Sequence, residues 1–271
     1  GRDGVSRPCG NGVAGAGDGV VVLDISLEEN RVDLLRLLEA GASVRYFDHH
    51  HAGVLPTHPG LTTWIEESPK VCTSSLVDRH LEHRHQAWAA VAAFGDNLRD
   101  LGCTLAHSAQ VKADDVAAFE RFGILVNYNA YGNTVSDLLF HPAELAERML
   151  PFAEPMEFIC CSPAYGELGA RYDDDMQRAA VLQPRLLVLG ALFMELPDEP
   201  WARRAVGVLA NALCLRHPEH AVAIAVPNAR DGYTVSVRVP SCRRMPADEF
   251  CRGFPGGNGR KRAAGINHLA S

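Results

Sequence analysis

The chain has 271 residues, 47% of them hydrophobic and 22% charged, with a formal net charge of −7. That is enough apolar material for one large core or for a medium and a small domain, and it argues against wholesale disorder. The acidic balance argues against a sticky, non-specific nucleic-acid binder, and stable binding to duplexes is not expected.

No apolar stretch, Ala221 to Pro227 and Leu186 to Phe193 among the longer ones, approaches the length of a membrane span. The chain opens Gly1-Arg2-Asp3 without a basic-then-apolar leader, so a cytoplasmic location is the expectation. Eight cysteines are scattered without a CxxC pair and read as small buried hydrophobes in a reducing compartment. From Arg238 onward seven basic residues face two acids, Asp248 and Glu249, a local excess suited to a small anionic ligand.

Val20 to Leu23 is an apolar run that ends on Asp24 and reads as a buried parallel strand. Glu28 to Ala40 has helical periodicity, and Gly41 is its stop. Ser43 to Phe47 is the next strand and ends on Asp48. Two successive strands of one βαβ unit thus deliver an aspartate at the carboxyl edge of a sheet, where open α/β folds place ligands.

Helices are expected at Val71 to Leu81, Gln86 to Phe94 (followed by Gly95-Asp96-Asn97), Ala113 to Phe122 and Pro142 to Leu150. Phe158 to about Leu187 reads as a helical connector. Trp201 to Leu215 is helix-like, Ala221 to Val226 and Tyr233 to Val239 are strands, and Ala247 to Cys251 is a short helix. Gly256-Gly257-Asn258-Gly259-Arg260 is too glycine-rich for either element. The fold class expected is α/β: residues 1–150 form a parallel-sheet domain, 151–188 a connector, and 189–271 a smaller α/β domain.

Asp24, Asp48, His49, His50 and Asp96 form a set of carboxylates and imidazoles, the ligands favoured by Mn²⁺, Zn²⁺ or Mg²⁺. A lone strand-end aspartate is more often a cap or turn former, and a histidine run more often a solvated loop. Aspartates on adjacent strand ends with histidines beside one of them shift the balance towards a metal site.

Val22-Leu23-Asp24, Phe47-Asp48-His49-His50 and Ala93-Phe94-Gly95-Asp96 resemble the second, third and fourth motifs of the DHH phosphoesterase superfamily. Gly256 to Gly265, with Ala263-Ala264-Gly265 at its end, resembles the glycine-rich motif of the small DHH-associated domain. The resemblance extends from about Val20 to Leu269. Cys72 to Val77, Asn127 to Gly132 and Ser236-Val237-Arg238 also look like one bacterial branch of that superfamily, without a chemical role readable from sequence. The Asn127 to Gly132 segment is either a functional loop or a structural turn.

The resemblance implies metal-dependent hydrolysis of a phosphate ester, with a nucleotide, a cyclic dinucleotide or a short oligonucleotide as substrate. It implies that Asp24 bridges two Mn²⁺ ions and that His49 and Asp96 bind one of them. His50 would face the phosphate as the catalytic contact, with Asp48 holding an imidazole from behind. Gly256, Gly257, Asn258, Gly259 and Arg260 would bind the substrate, Arg260 standing where the family commonly has histidine.

The family's first motif, an Asp-x-Asp at the end of the first strand, is not found before Asp24; Asp3-Gly4 has neither the strand nor the second aspartate. The expectation is therefore a chain that starts inside the fold and leaves an exposed apolar sheet edge. Two other readings stay open: a truncated or degenerate member that binds an anionic ligand without turnover, and an unrelated α/β protein.

Overall fold

The computed structural model describes residues 14–187 and 190–270. Asp3-Gly4 and the expected boundary between residues 188 and 189 lie outside them. The protein is α/β and divides into two compact units, residues 1–86 and 87–271.

The first unit is built on a parallel three-stranded sheet in the order β1 (Gly19–Leu23), β2 (Ser43–Asp48), β3 (Leu61–Ile65). Helix α1 (Arg31–Glu39) crosses between β1 and β2, and α2 (Thr73–His80) follows β3. Side chains alternate across a strand, so Val44 and Tyr46 turn to one face, where Leu27, Leu34 and Leu38 cover them. α1 begins three residues later than the sequence periodicity predicts but ends as expected. Gly41, at φ 86°, donates to Leu38 O while Ala42 donates to Leu37 O, the paired bonds of a Schellman stop that needs a left-handed residue.

β1 is not the buried strand that its apolar run suggests. It is an edge strand in the described sheet, and Val21 and Leu23 are 54% and 49% exposed. β3 is absent from the sequence-based reading, because Thr62 and Thr63 interrupt its apolar pattern. On the opposite face of the sheet from α1, Phe47 stacks on Trp64 with ring centroids 4.4 Å apart.

The second unit begins with helices α3 (Gln86–Gly95), α4 (Arg99–Ser108), α5 (Val116–Tyr128), α6 (Pro142–Met149), α7 (Pro155–Cys161) and α8 (Pro163–Ala180). α4 is unexpected, and α5 runs six residues beyond its predicted end. The segment from 158 to 187 is not one helix: Pro163 starts a new one, and β4 (Arg185–Leu187) closes the stretch. After β4 come β5 (Ala191–Glu195), α9 (Pro200–Arg216), β6 (Ala221–Asn228), β7 (Gly232–Arg238), α10 (Ala247–Arg252), β8 (Gly257–Arg260) and β9 (Ala263–Ala270). The strands form a mixed sheet in the order β4-β5-β6-β7-β9-β8. α9 covers Leu192, Met194, Val222, Ile224 and Val226 with Ala202, Val206, Leu209 and Leu213. Val235, Val237, Ala264 and Ile266 join the second core with Ala247 and Cys251 of α10.

The glycine-rich run is a strand, which corrects the expectation that it forms neither element. β8 pairs antiparallel with β9, Gly257 opposite Ile266 and Arg260 opposite Ala263. Glycine is needed because α10 ends against it: a Cβ on Gly257 would lie 1.8 Å from Cys251 O.

The Asn127 to Gly132 segment contains a structural anchor. Asn129 is buried; its Oδ1 accepts from Leu139 N and Phe140 N, and its Nδ2 donates to Phe140 O. Tyr131 packs against the core under α9. Next to them, Arg204 donates to Asp175 and to the Tyr128 hydroxyl, joining α9, α8 and α5 through a buried network. Burial, followed by the hydrogen bond to Asp175, pushes the Tyr128 hydroxyl far above its ordinary pKa. Of the cysteines, Cys72 and Cys251 are buried as expected, whereas Cys160, Cys161 and Cys242 are exposed.

Candidate metal centre

β1 and β2 run parallel, so their carboxyl ends lie side by side: Leu23 is in register with Phe47, and Asp24 N donates to Phe47 O at 3.0 Å. Asp24 takes a left-handed φ of 59° directly after the strand. Such a conformation is costly for a residue with a Cβ, although aspartate tolerates it better than most, and it concentrates at sites where side-chain direction matters.

Asp48 ends β2 and is wholly buried. Its Oδ1 accepts from His49 N at 2.8 Å, His50 N at 3.2 Å and His50 Nδ1 at 2.7 Å. An aspartate that takes the next two backbone N–H groups closes a tight turn, so the strand end fans the two histidines out. His49 and His50 meet edge to face with ring centroids 4.7 Å apart.

The tautomers follow from the neighbours. His49 Nδ1 lies 2.8 Å from Val71 O, and a carbonyl can only accept, so Nδ1 carries the proton. His49 Nε2 then faces Asp24 Oδ1 at 3.3 Å. His50 Nδ1 likewise donates to Asp48, which turns its Nε2 away from that carboxylate. Thr73, at the start of α2, donates its hydroxyl to Asp24 Oδ1 at 2.6 Å. The Cys72 to Val77 segment thereby acquires a role: its first helical hydroxyl orients Asp24, and the carbonyl just before it orients His49.

One donor atom from each of Asp24, His49 and His50 lies within 4.8 Å of the others. Ligands about 2.1 Å from one ion stand roughly 3.0–3.4 Å apart in octahedral or tetrahedral geometry, and the 3.3 Å between His49 Nε2 and Asp24 Oδ1 fits that edge. Asp48 Oδ2 is buried and has no hydrogen-bond partner among the described residues, while Oδ1 carries the histidine turn. A carboxylate behind a ligating histidine is the usual outer support of a metal site. The residues present therefore fit a divalent cation.

No protein-family model matches the chain, and no curated protein does. Among solved structures, a pGpG-specific phosphodiesterase, PggH from Vibrio cholerae, resembles it at 11% identity over 93% of this chain and 92% of that one, with a TM-score of 0.46.

Asp96 belongs to the second unit. It follows α3, its N–H donates to Ala92 O at 2.9 Å, and its carboxylate receives Arg260 of β8, with Nη1 3.3 Å from Oδ2. Within the first unit Asp24 stands with His49, His50 and the supporting Asp48; within the second, Asp96 stands with Arg260. Gly256, Gly257, Asn258 and Gly259 lead into Arg260, and Asn258 Oδ1 accepts from Gly259 N at 2.7 Å. No helix among the described residues is long and apolar enough to cross a membrane.

Sequence reasoning missed Thr73 and the Val71 carbonyl. Thr73 lies inside a segment singled out without a role. A backbone carbonyl leaves no residue-type signal at all.

Proposed function

We propose that this protein is a metal-dependent phosphoesterase of the DHH type, acting on a nucleotide, a cyclic dinucleotide or a short oligonucleotide. The observation that carries the reading is the pair of His49 contacts: Nδ1 is committed to Val71 O, and Nε2 is turned to Asp24 Oδ1 at 3.3 Å. The motif resemblance of Asp24, Asp48-His49-His50 and Asp96 supports it independently.

In this reading Asp24 and His49 are ligands of Mn²⁺, one ion or a pair, and the motif resemblance makes Asp96 a metal ligand too; Mg²⁺ and Zn²⁺ are the less favoured occupants. When bound, the ion polarises a phosphoryl oxygen and lowers the pKa of coordinated water. Thr73 keeps Asp24 Oδ1 in a fixed direction. His50 contacts the phosphate through an imidazole whose orientation Asp48 sets. Arg260 and the backbone N–H groups of Gly256 to Gly259 neutralise phosphate charge; an arginine fork can give a phosphate two parallel hydrogen bonds. A cytoplasmic location accords with this substrate class.

The test is hydrolysis of a panel of linear dinucleotides, cyclic dinucleotides, short RNA and pyrophosphate with and without Mn²⁺. Turnover that requires Mn²⁺ and disappears in His49→Ala, with the variant's melting curve intact, supports the reading. Turnover unchanged in His49→Ala overturns the site. A phosphate ester that binds to the metal-loaded protein but is never cleaved points instead to a binding protein without turnover.

A further inference from the structure

Asp96 and Arg260 stand 164 positions apart in sequence and face each other in the second unit. The contact is two-pronged: Nη1 lies 3.3 Å from Oδ2 and Nη2 lies 3.4 Å from Oδ1. The two side chains are only 26% and 28% exposed, so water screens the pair in part. The two ends differ in freedom. Asp96 is tied to the end of α3 through its N–H, and Asn97 at φ 60° turns the chain sharply after it. Arg260 carries a long side chain from the last residue of an edge strand.

A carboxylate whose two oxygens face a guanidinium presents its charge to that cation first. A second cation at the same oxygens meets like-charge repulsion, and one of the two must withdraw. The guanidinium fork that matches a carboxylate also matches a phosphate. Only one of these anions can use it at a time.

We propose that the Arg260–Asp96 pair is an exchange lock: Arg260 gives up Asp96 when a divalent cation binds there, and only then is its guanidinium able to receive a phosphate group. This imposes an order, cation before phosphate, on a site whose arginine would otherwise capture stray phosphate. The inference rests on the reading of Asp96 as a metal ligand.

The test uses the full chain and two readouts. Calorimetric titration with Mn²⁺ should show Arg260→Gln binding about two- to fivefold more tightly than wild type, the range expected when a competing ion pair of this exposure is removed. That gain should vanish in the Arg260→Gln, Asp96→Asn double variant. In the wild-type chain, which needs no folding control, the ¹⁵N-resolved Nε–Hε signal of Arg260 should shift on saturation with Mg²⁺ alone. Unchanged or weaker Mn²⁺ binding in Arg260→Gln, or an Arg260 signal indifferent to Mg²⁺, overturns the lock. Cation binding that depends on His49 but ignores Arg260 sinks the lock and leaves the phosphoesterase reading standing. A wild-type chain that binds no divalent cation sinks both.

Discussion

The 2.8 Å hydrogen bond from His49 Nδ1 to Val71 O fixes which nitrogen faces Asp24. A histidine without that partner could present either ring nitrogen. With it, Nε2 is set towards a carboxylate oxygen whose own direction is set by Thr73. The candidate site is thus organised by groups just before and at the start of α2 as much as by the strand ends that carry the ligands.

Removing the Thr73 hydroxyl tests that organisation. Thr73→Val keeps the shape of a buried side chain and loses the bond to Asp24 Oδ1. Outer partners of this kind typically account for 10- to 100-fold in metal affinity, so Mn²⁺ binding should weaken by about 10-fold or more, read by calorimetry. Affinity equal to wild type would mean that Asp24 is held by something else.

Gly257→Ala places a methyl group 1.8 Å from Cys251 O. Backbone obstructs it, so α10 or β8 must move. The expected loss is on the order of 3 kcal/mol, measured as a lower urea midpoint, and hydrogen exchange should speed up in β8 and β9 first. A midpoint within error of wild type contradicts the packing described.

Arg204→Met leaves Asp175 wholly buried beside Tyr128 with no cation. Breaking a buried pair from one side costs about 3–5 kcal/mol. The double variant Arg204→Met, Asp175→Leu should recover a large part of that loss, because no uncompensated charge remains. Equal losses in the single and double variants would show that the pair's charge is not what matters.

Asp137 gives a pH signature. Burial alone would raise its pKa, but the Arg203 guanidinium and the N–H groups of Thr134 and Asn133 outweigh burial and hold it below the usual carboxylate range. A carboxyl with a depressed folded pKa binds fewer protons folded than unfolded. Its stabilisation is therefore complete above the unfolded value, about 3.9, and is lost as pH falls through the lower folded value. Wild-type stability should drop across that acid window, and Asp137→Asn should be less stable at neutral pH but flatter in acid. Parallel acid limbs in the two proteins would contradict the assignment.

The strand-end aspartates were legible because Val20 to Leu23 and Ser43 to Phe47 are short apolar runs that stop on a carboxylate. β3 was not, since two threonines and a part-exposed setting blur its pattern. β8 was hidden for the opposite reason: its glycines look like a loop, and only the close approach of Cys251 explains them. Among site residues, Asp24, His49 and His50 could be named from sequence because metal chemistry favours their residue types. The Val71 carbonyl could not, since backbone groups are chemically alike at every position. The contact between Asp96 and Arg260 is equally out of reach, because nothing in sequence joins residues so far apart.

The central claim is that Asp24 and His49 hold a divalent cation, with His50 beside them. The most direct measurement is Mn²⁺ titration of the full chain followed by calorimetry, with His49→Ala beside wild type and both shown folded by circular dichroism. The account predicts saturable binding in wild type and a loss of at least about 10-fold in His49→Ala. Wild-type binding that His49→Ala leaves intact, or no binding in either, would contradict it.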